Sequence, residues 1–231
     1  MNRAEITPTV AMYLRIVYDL QEDGVDPRRA RICERTGYSK PSVAQMVLRM
    51  RKSGLVDIVD DSFVVLTPEG REHAVIMTRR HRLAERMLVD IVGVPRLDAH
   101  RAASGWENTM DDAIERHIAS RLDNPTIDAW GNPIPGLFAL GIAGDRSHVV
   151  AEPLTRIHQG TTATGVVRSF SENLLDQSAA LAELVGAGIE PGTTITATKA
   201  GTSMCIEAER GSVQLPMSIA CSIHLANPVG R

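Results

Sequence analysis

Imidazole and carboxylate side chains fall at helical spacing in the middle of this chain. His81 and Glu85 are four residues apart, and His100, Ser104, Glu107 and Asn108 follow at i, i+4, i+7 and i+8, so each set shares one face if its segment is helical. His and carboxylate gathered in this way are the ligand chemistry of a divalent cation. Ser104 and Asn108 break the pattern, because a hydroxyl and an amide are weak, neutral ligands where the spacing asks for strong ones.

The elements that must carry these residues can be read from periodicity and capping. Met12, Leu14, Ile16, Val17 and Leu20 form a helical stripe over 11–20 that Gly24 stops. A short helix over 28–36 ends at Gly37, and a third over 39–53 has Ser39 as N-cap, Pro41 in its first turn, and Val43, Met46, Val47 and Met50 inward. The pattern then becomes β at Leu55, Val56, Ile58 and Val59, turns at Asp60-Asp61-Ser62, and resumes over 63–66. Helix, turn, helix and hairpin in this order predict a winged helix-turn-helix. Thr67 as N-cap and Pro68 open a long helix through His81 toward Gly93, and 98–108 forms the next. Thr109 with Asp112 predicts the cap of a further helix through Leu122.

Residues 124–144 are rich in Asn, Pro and Gly and predict a linker or fixed loop. Beyond Glu152 short β segments at 161–167, 193–198, 203–208 and 213–215, with one helical segment at 177–185, predict a small β-barrel. The fold class is therefore mainly α plus small β. Three domains follow: a winged helix-turn-helix over 1–75, a helical domain over 76–144 and a small β domain over 145–231.

Composition narrows the function. With 231 residues and 43% hydrophobic content the chain can bury several small cores, and its net charge of −3 gives no global field to attract a partner. The segment 27–52 is different: Arg28, Arg29, Arg31, Arg35, Lys40, Arg49, Arg51 and Lys52 against Glu34 give eight minus one, or +7. Aromatic content of 3% is too thin for a single-strand stacking platform, so the partner is double-stranded DNA. The expected contacts are Arg29, Arg31, Ser39, Lys40, Pro41, Ser42, Gln45, Arg49 and Arg51, with Gln45 able to pair with adenine and Pro41 able to pack on a thymine methyl. Cys33, Cys205 and Cys221 lack a CxxC spacing, which with no signal-peptide or membrane pattern predicts free thiols in the cytoplasm. No nucleophile with its base, phosphate loop or open catalytic site can be assembled, so an enzyme is not expected.

The stretches Met12-Tyr13-Leu14-Arg15, Arg79-Arg80-His81-Arg82-Leu83-Ala84-Glu85-Arg86 and Gly131-Asn132-Pro133-Ile134-Pro135-Gly136 carry a resemblance to the diphtheria-toxin-repressor family of iron- and manganese-dependent regulators. The C-terminal third resembles the SH3-like domain of the iron-dependent subgroup. This resemblance implies a helical dimerisation and metal-binding domain in the middle and an SH3-like β-barrel at the end. It implies a homodimeric repressor that responds to Fe2+ or Mn2+, with Zn2+, Co2+ or Ni2+ able to substitute, and that binds a palindromic operator as one dimer or two. Position by position, His81, Glu85 and His100 fall on the family's ancillary metal site, and Met12, Ser104, Glu107 and Asn108 on its primary site.

Further ancillary ligands would fall near Gln177 and Ala180, with Glu172 and Asp176 as nearby substitutes. Arg82 and Asn132 match positions that hold an anion or fix the linker. The primary-type set offers one carboxylate, one thioether, a hydroxyl and an amide, a single negative charge for a dication. Metal is therefore expected at the ancillary-type site only. The alternative is a regulator on the same scaffold that needs no metal or senses another effector, with Ser104, Glu107 and Asn108 as a hydrogen-bonded latch to the first helix.

Overall fold

A computed structural model describes residues 6–60, 62–143 and 151–230. The first helix, α1 (Pro8–Glu22), is capped by Thr7, whose hydroxyl accepts from the Val10 amide. α2 (Arg29–Thr36) ends at Gly37 in the left-handed region, and α3 (Lys40–Lys52) starts at Ser39, whose hydroxyl accepts from the Ser42 amide. The wing is β1 (Val56–Val59) against β2 (Phe63–Leu66), paired antiparallel from Val56 with Leu66 to Val59 with Phe63. Asp61 of the expected turn lies outside the described residues. Leu14, Val17, Ile32, Val43, Val47, Met50, Val56 and Val64 make one core, so the predicted helical stripes close on each other and on the wing.

α4 (Pro68–Met87) opens at Thr67 as expected, but its end differs. Residues Leu88–Val92 relax into a π turn closed by Gly93, a conformation that i to i+3 spacing cannot foretell. α4 is one continuous rod whose Ala74 belongs to the N-terminal core, while Leu83 and Ala84 pack in the helical unit. α5 (Arg96–Trp106) and α6 (Asp112–Arg121) complete that unit. The cap of α6 is Asp111 rather than Thr109: its Oδ1 accepts from the Ala113 and Ile114 amides, while the Thr109 hydroxyl donates back to the Trp106 carbonyl. An aspartate at Ncap also carries charge to the positive end of the helix, which a threonine cannot.

The linker is a fixed loop. Trp130 is fully buried in the C-terminal core and stacks on Phe170 with ring centroids 5.8 Å apart. A Cβ at Gly131 would stand 2.1 Å from the Arg168 carbonyl oxygen at φ +86°, so only glycine lets the linker cross that strand. The C-terminal unit is a six-stranded antiparallel sheet of β3 (Ala151–Pro153), β4 (Thr162–Phe170), β5 (Thr194–Ala200), β6 (Ser203–Ala208), β7 (Gly211–Pro216) and β8 (Ile223–Gly230), in the order β3-β8-β4-β5-β6-β7. Three short helices accompany it: α7 (Glu172–Leu175), α8 (Ser178–Gly186) and α9 (Met217–Ala220). The sequence pattern anticipates β4, β5, β6, β7 and α8. It misses β3, α7, α9 and β8, elements too short or too mixed in polarity to show a period. Among the described residues, no helix is long and apolar enough to cross a membrane.

Candidate metal centre

His81 and Glu85 project from α4, four residues apart on one face, and His100 projects from α5 packed beside it. All three are buried. Glu172 joins them from the first turn of α7, 72 residues further along than His100 in sequence and 2% exposed. The His81 Nε2 atom lies 3.1 Å from His100 Nδ1 and 3.7 Å from Glu85 Oε1, and His100 Nδ1 lies 2.7 Å from Glu85 Oε1. Glu172 Oε2 stands 3.6 Å from His100 Nδ1 and 4.0 Å from His81 Nε2. Three potential ligand atoms, from His81, His100 and Glu172, lie within 4.8 Å of one another, and Glu85 Oε1 approaches both imidazole nitrogens. Around an ion with bonds of about 2.0–2.2 Å, tetrahedral ligand atoms sit roughly 3.3–3.6 Å apart, and the observed separations bracket that distance.

The far side of each imidazole decides which nitrogen faces inward. His81 Nδ1 is 2.7 Å from Glu107 Oε2, and His100 Nε2 is 3.3 Å from Asp176 Oδ1. A carboxylate on that nitrogen holds the ring proton there and turns the opposite lone pair to the centre, the arrangement found behind metal-bound histidines. In that state two lone pairs and the Glu85 carboxylate face one another across about 3 Å, which is repulsive unless a proton or a cation lies between them. Glu85 Oε2 and Glu172 Oε2 are buried without a hydrogen-bond partner, and the Arg15 guanidinium stands 3.5 Å from Glu172 Oε2. Two neutral imidazoles and two carboxylates would neutralise a dication, and this set of two nitrogens and two oxygens suits iron, manganese or zinc.

The electrostatics agree with that reading. Burial opposes the charged form of His100, yet the hydrogen bonds it donates to the Asp176 and Glu85 carboxylates overcome it and push its pKa up to about 10. Burial and Arg15 also oppose the charged form of His81, but Glu107 and Glu85 raise it. Burial disfavours the ionised Glu172, while His100, His81, Arg82 and Arg15 hold it well below the usual carboxylate range. In the ion-free centre, the proton on His100 supplies positive charge that a metal would otherwise bring.

The residues of the expected primary-type set sit on α1, on α5 and in the turn after it. Glu107 is buried, but its carboxylate is committed to His81 and lies 3.9 Å from the Arg15 guanidinium of α1. Met12 packs against the N-terminal core, Ser104 is half-buried on α5, and Asn108 is exposed in the turn after that helix. Glu107, the C-cap of α5, keeps helical dihedrals and the bond from its amide to the Ala103 carbonyl, whereas Asn108 lies in the turn that follows. Glu107 is linked to α1 through the ion pair with Arg15. Gln177 is the N-cap residue of α8 and Ala180 packs on the C-terminal core, so Glu172 and Asp176 are the residues the third domain brings here. Their only sequence signal is a Ser-Glu pair closing a β-rich segment, which is weak because nothing local ties it to residues 81–100.

Arg82 and Asn132 fix the linker. The Arg82 guanidinium, 1% exposed, donates to Glu22 of α1, to Glu172 at 3.2 Å and to the Pro133 carbonyl at 2.5 Å. Three carboxylates around it leave no room for an anion: Asp128 completes the set at 3.6 Å. Asn132 donates from its side-chain amide to Asp128 and to the Phe170 carbonyl.

On the other face of the molecule, Ser39, Lys40, Pro41, Ser42, Gln45, Arg49 and Arg51 are exposed along α3, and Arg29 stands half-buried at the start of α2. Arg31 is exposed too, but pairs with Glu34 at 2.8 Å. Arg35 points the opposite way: its side chain is 7% exposed and pairs with Asp176 at 3.0 Å, so the +7 segment does not present all its charge to one partner. Cys33, Cys205 and Cys221 are free thiols.

Residues 5–64 match the family described as iron dependent repressor, N-terminal DNA binding domain, and residues 67–136 match iron dependent repressor, metal binding and dimerisation domain. The chain is 39% identical to the iron-dependent repressor IdeR of Mycobacterium leprae over 223 residues, covering 95% of this chain and 97% of that protein. It is 42% identical to the diphtheria toxin repressor of Corynebacterium diphtheriae over 159 residues, covering 69% of each. Among solved structures, a manganese-dependent transcriptional repressor in complex with manganese superposes with a TM-score of 0.76 at 26% identity, covering 94% of this chain and 99% of that one.

Proposed function

This chain belongs to the iron-dependent repressor family, and we propose that it represses transcription by binding DNA when Fe2+ or Mn2+ occupies the centre formed by His81, Glu85, His100 and Glu172. The observation that carries this is the convergence of three buried ligand atoms, from His81, His100 and Glu172, within 4.8 Å of one another, with Glu85 Oε1 beside both imidazoles. Met12, Ser104, Glu107 and Asn108 hold no second ion, since Glu107 is spent on orienting His81. The protein works in the cytoplasm as a homodimer on a palindromic operator. Of the exposed large apolar side chains among the described residues, Ile91, Val92, Leu97, Trp106, Ile114 and Phe138 lie in the helical unit, which favours that unit as the dimer contact. The domains divide near 75 within α4 and near 144, a boundary outside the described residues.

The test is selection of double-stranded DNA from a random pool in Mn2+ and in chelator. Enrichment of an inverted repeat only with metal supports the reading, and equal enrichment in both removes the metal from the mechanism. On the selected site, Gln45→Ala is expected to cost about 1–3 kcal/mol and to relax the preference at one base pair, whereas Arg49→Ala weakens all sequences alike and lowers the salt slope by about 1. Competition binding over a range of sequences and salt concentrations distinguishes the two.

Metal binding is expected to strengthen with pH. His100 titrates at about 10 and is protonated at neutral pH in the ion-free protein, and His81 is raised in the same direction, so occupancy must displace protons. The same shift stabilises the ion-free fold: that contribution is complete below the unfolded value of about 6.5 and is lost as pH rises through about 10. Isothermal titration with Mn2+ in buffers of different ionisation enthalpy measures the released protons. No proton release would contradict the assignment of His81 and His100 as ligands.

A further inference from the structure

Two carboxylates stand behind the two histidines, and each ends on an arginine of the DNA-binding unit. Glu107 faces His81 at 2.7 Å and Arg15 of α1 at 3.9 Å. Asp176, in the turn between α7 and α8, faces His100 at 3.3 Å through Oδ1 and Arg35 of α2 at 3.0 Å through Oδ2. We infer that Asp176 and Arg35 are the positioning residues that transmit occupancy of the centre to the helix-turn-helix, so that one buried ion controls DNA binding without a second metal site. This rests on the reading of the centre given above.

The geometry supplies the reason. An ion held by His100 Nδ1 would fix the plane of a ring whose Nε2 proton already faces Asp176, so that donor would be held in one position. Its other oxygen is then held toward Arg35. Arg35 closes the last turn of α2, the helix that supports α3 through Ile32, Val43 and Val47. Fixing Arg35 therefore fixes the angle at which α3 meets the groove. Asp19 of α1 lies 3.9 Å from the same guanidinium.

The arm is also incompletely satisfied. Arg35 Nε and Nη1 and both carboxylate oxygens of Asp19 are buried without hydrogen-bond partners. Buried groups in that condition exert a large cost, so small changes at His100 can decide whether α2 docks against the C-terminal unit. Arg35 belongs to the basic run of the helix-turn-helix, yet its burial removes it from phosphate contact, and a bridge to Asp176 accounts for its direction.

The test uses the full chain, Mn2+ and hydrogen exchange of the α2 amides. Wild type is expected to gain protection in α2 on adding Mn2+. Arg35→Gln and Asp176→Asn should each lose most of that gain, and Arg35→Lys should recover part of it. Arg35→Gln should keep its Mn2+ affinity within about 3-fold of wild type, since Arg35 does not touch a ligand atom. Asp176→Asn should weaken affinity by about 10-fold, as groups that orient a metal-bound histidine do. Full Mn2+-induced protection in both Arg35→Gln and Asp176→Asn overturns the inference, and because Asp176→Asn leaves α2 untouched, misfolding of the helix-turn-helix cannot explain a shared loss. Absence of Mn2+ binding in wild type, or unchanged binding in His81→Ala, would instead overturn the assignment of the centre itself.

Discussion

Replacing His81 with alanine is expected to lower divalent-metal affinity by well over about 100-fold, because removing groups that merely orient a metal-bound histidine already costs about 10–100-fold. His81 is the residue on which most of the centre depends. Its Nε2 faces His100, Glu85 and Glu172 within 4.0 Å, and its Nδ1 takes the buried Glu107. The substitution therefore removes one ligand and leaves a carboxylate that is 4% exposed with only Arg15 nearby. Metal-dependent DNA binding should vanish at micromolar Mn2+. Equilibrium dialysis against a chelating indicator, followed by DNA binding with the selected site, measures both effects. An affinity within about 3-fold of wild type would show that the ion sits elsewhere. Glu107→Gln offers a graded comparison, since the amide keeps the shape and loses the charge that holds the imidazole proton.

Arg82→Met should have the largest effect on stability, a loss of about 3–5 kcal/mol, the range for removing one partner of a buried ion pair. The guanidinium joins three other parts of the chain: α1 through Glu22, α7 through Glu172, and the linker through Asp128 and the Pro133 carbonyl. Methionine fills the volume but leaves Asp128 and Glu172 without their shared cation. Burial already pushes the Asp128 pKa up to about 7, with Glu85 adding to the shift and Arg82 opposing it. Without Arg82, Asp128 should take up a proton above neutral pH, so the destabilisation should lessen as pH falls. Urea unfolding at pH 8 and pH 6 tests both statements. A loss under about 1 kcal/mol, the value of a surface pair, would mean that water replaces the guanidinium at this junction.

The helix-turn-helix was legible because its signals are local. Thr67-Pro68 starts α4 and Ser39 caps α3 where the sequence places them, and the apolar spacing of α1 and α3 closes into one core. The pair His81 and Glu85 was legible for the same reason, a four-residue repeat on one helix. The i+7 relation extends to Glu107, which keeps helical dihedrals at the C-cap, and lapses at Asn108 in the turn that follows. Glu107 is the buried carboxylate beside His81 Nδ1, placed to hold that ring proton.

Glu172 and Asp176 could not have been ranked from sequence. Their approach to residues 81–100 depends on the path of residues 124–136, on Trp130 docking in the C-terminal core and on Gly131 clearing the Arg168 carbonyl. Each of these is a contact between residues far apart in the chain, with no period to reveal it. Sequence alone determined the winged helix-turn-helix, its basic segment and the two helices that carry histidines, since hydrogen bonding within turns and helices depends on near neighbours. Tertiary structure alone decided which carboxylates close the metal centre and that Arg35 faces inward, because a coordination site is set by distances between domains and charge counts carry no direction.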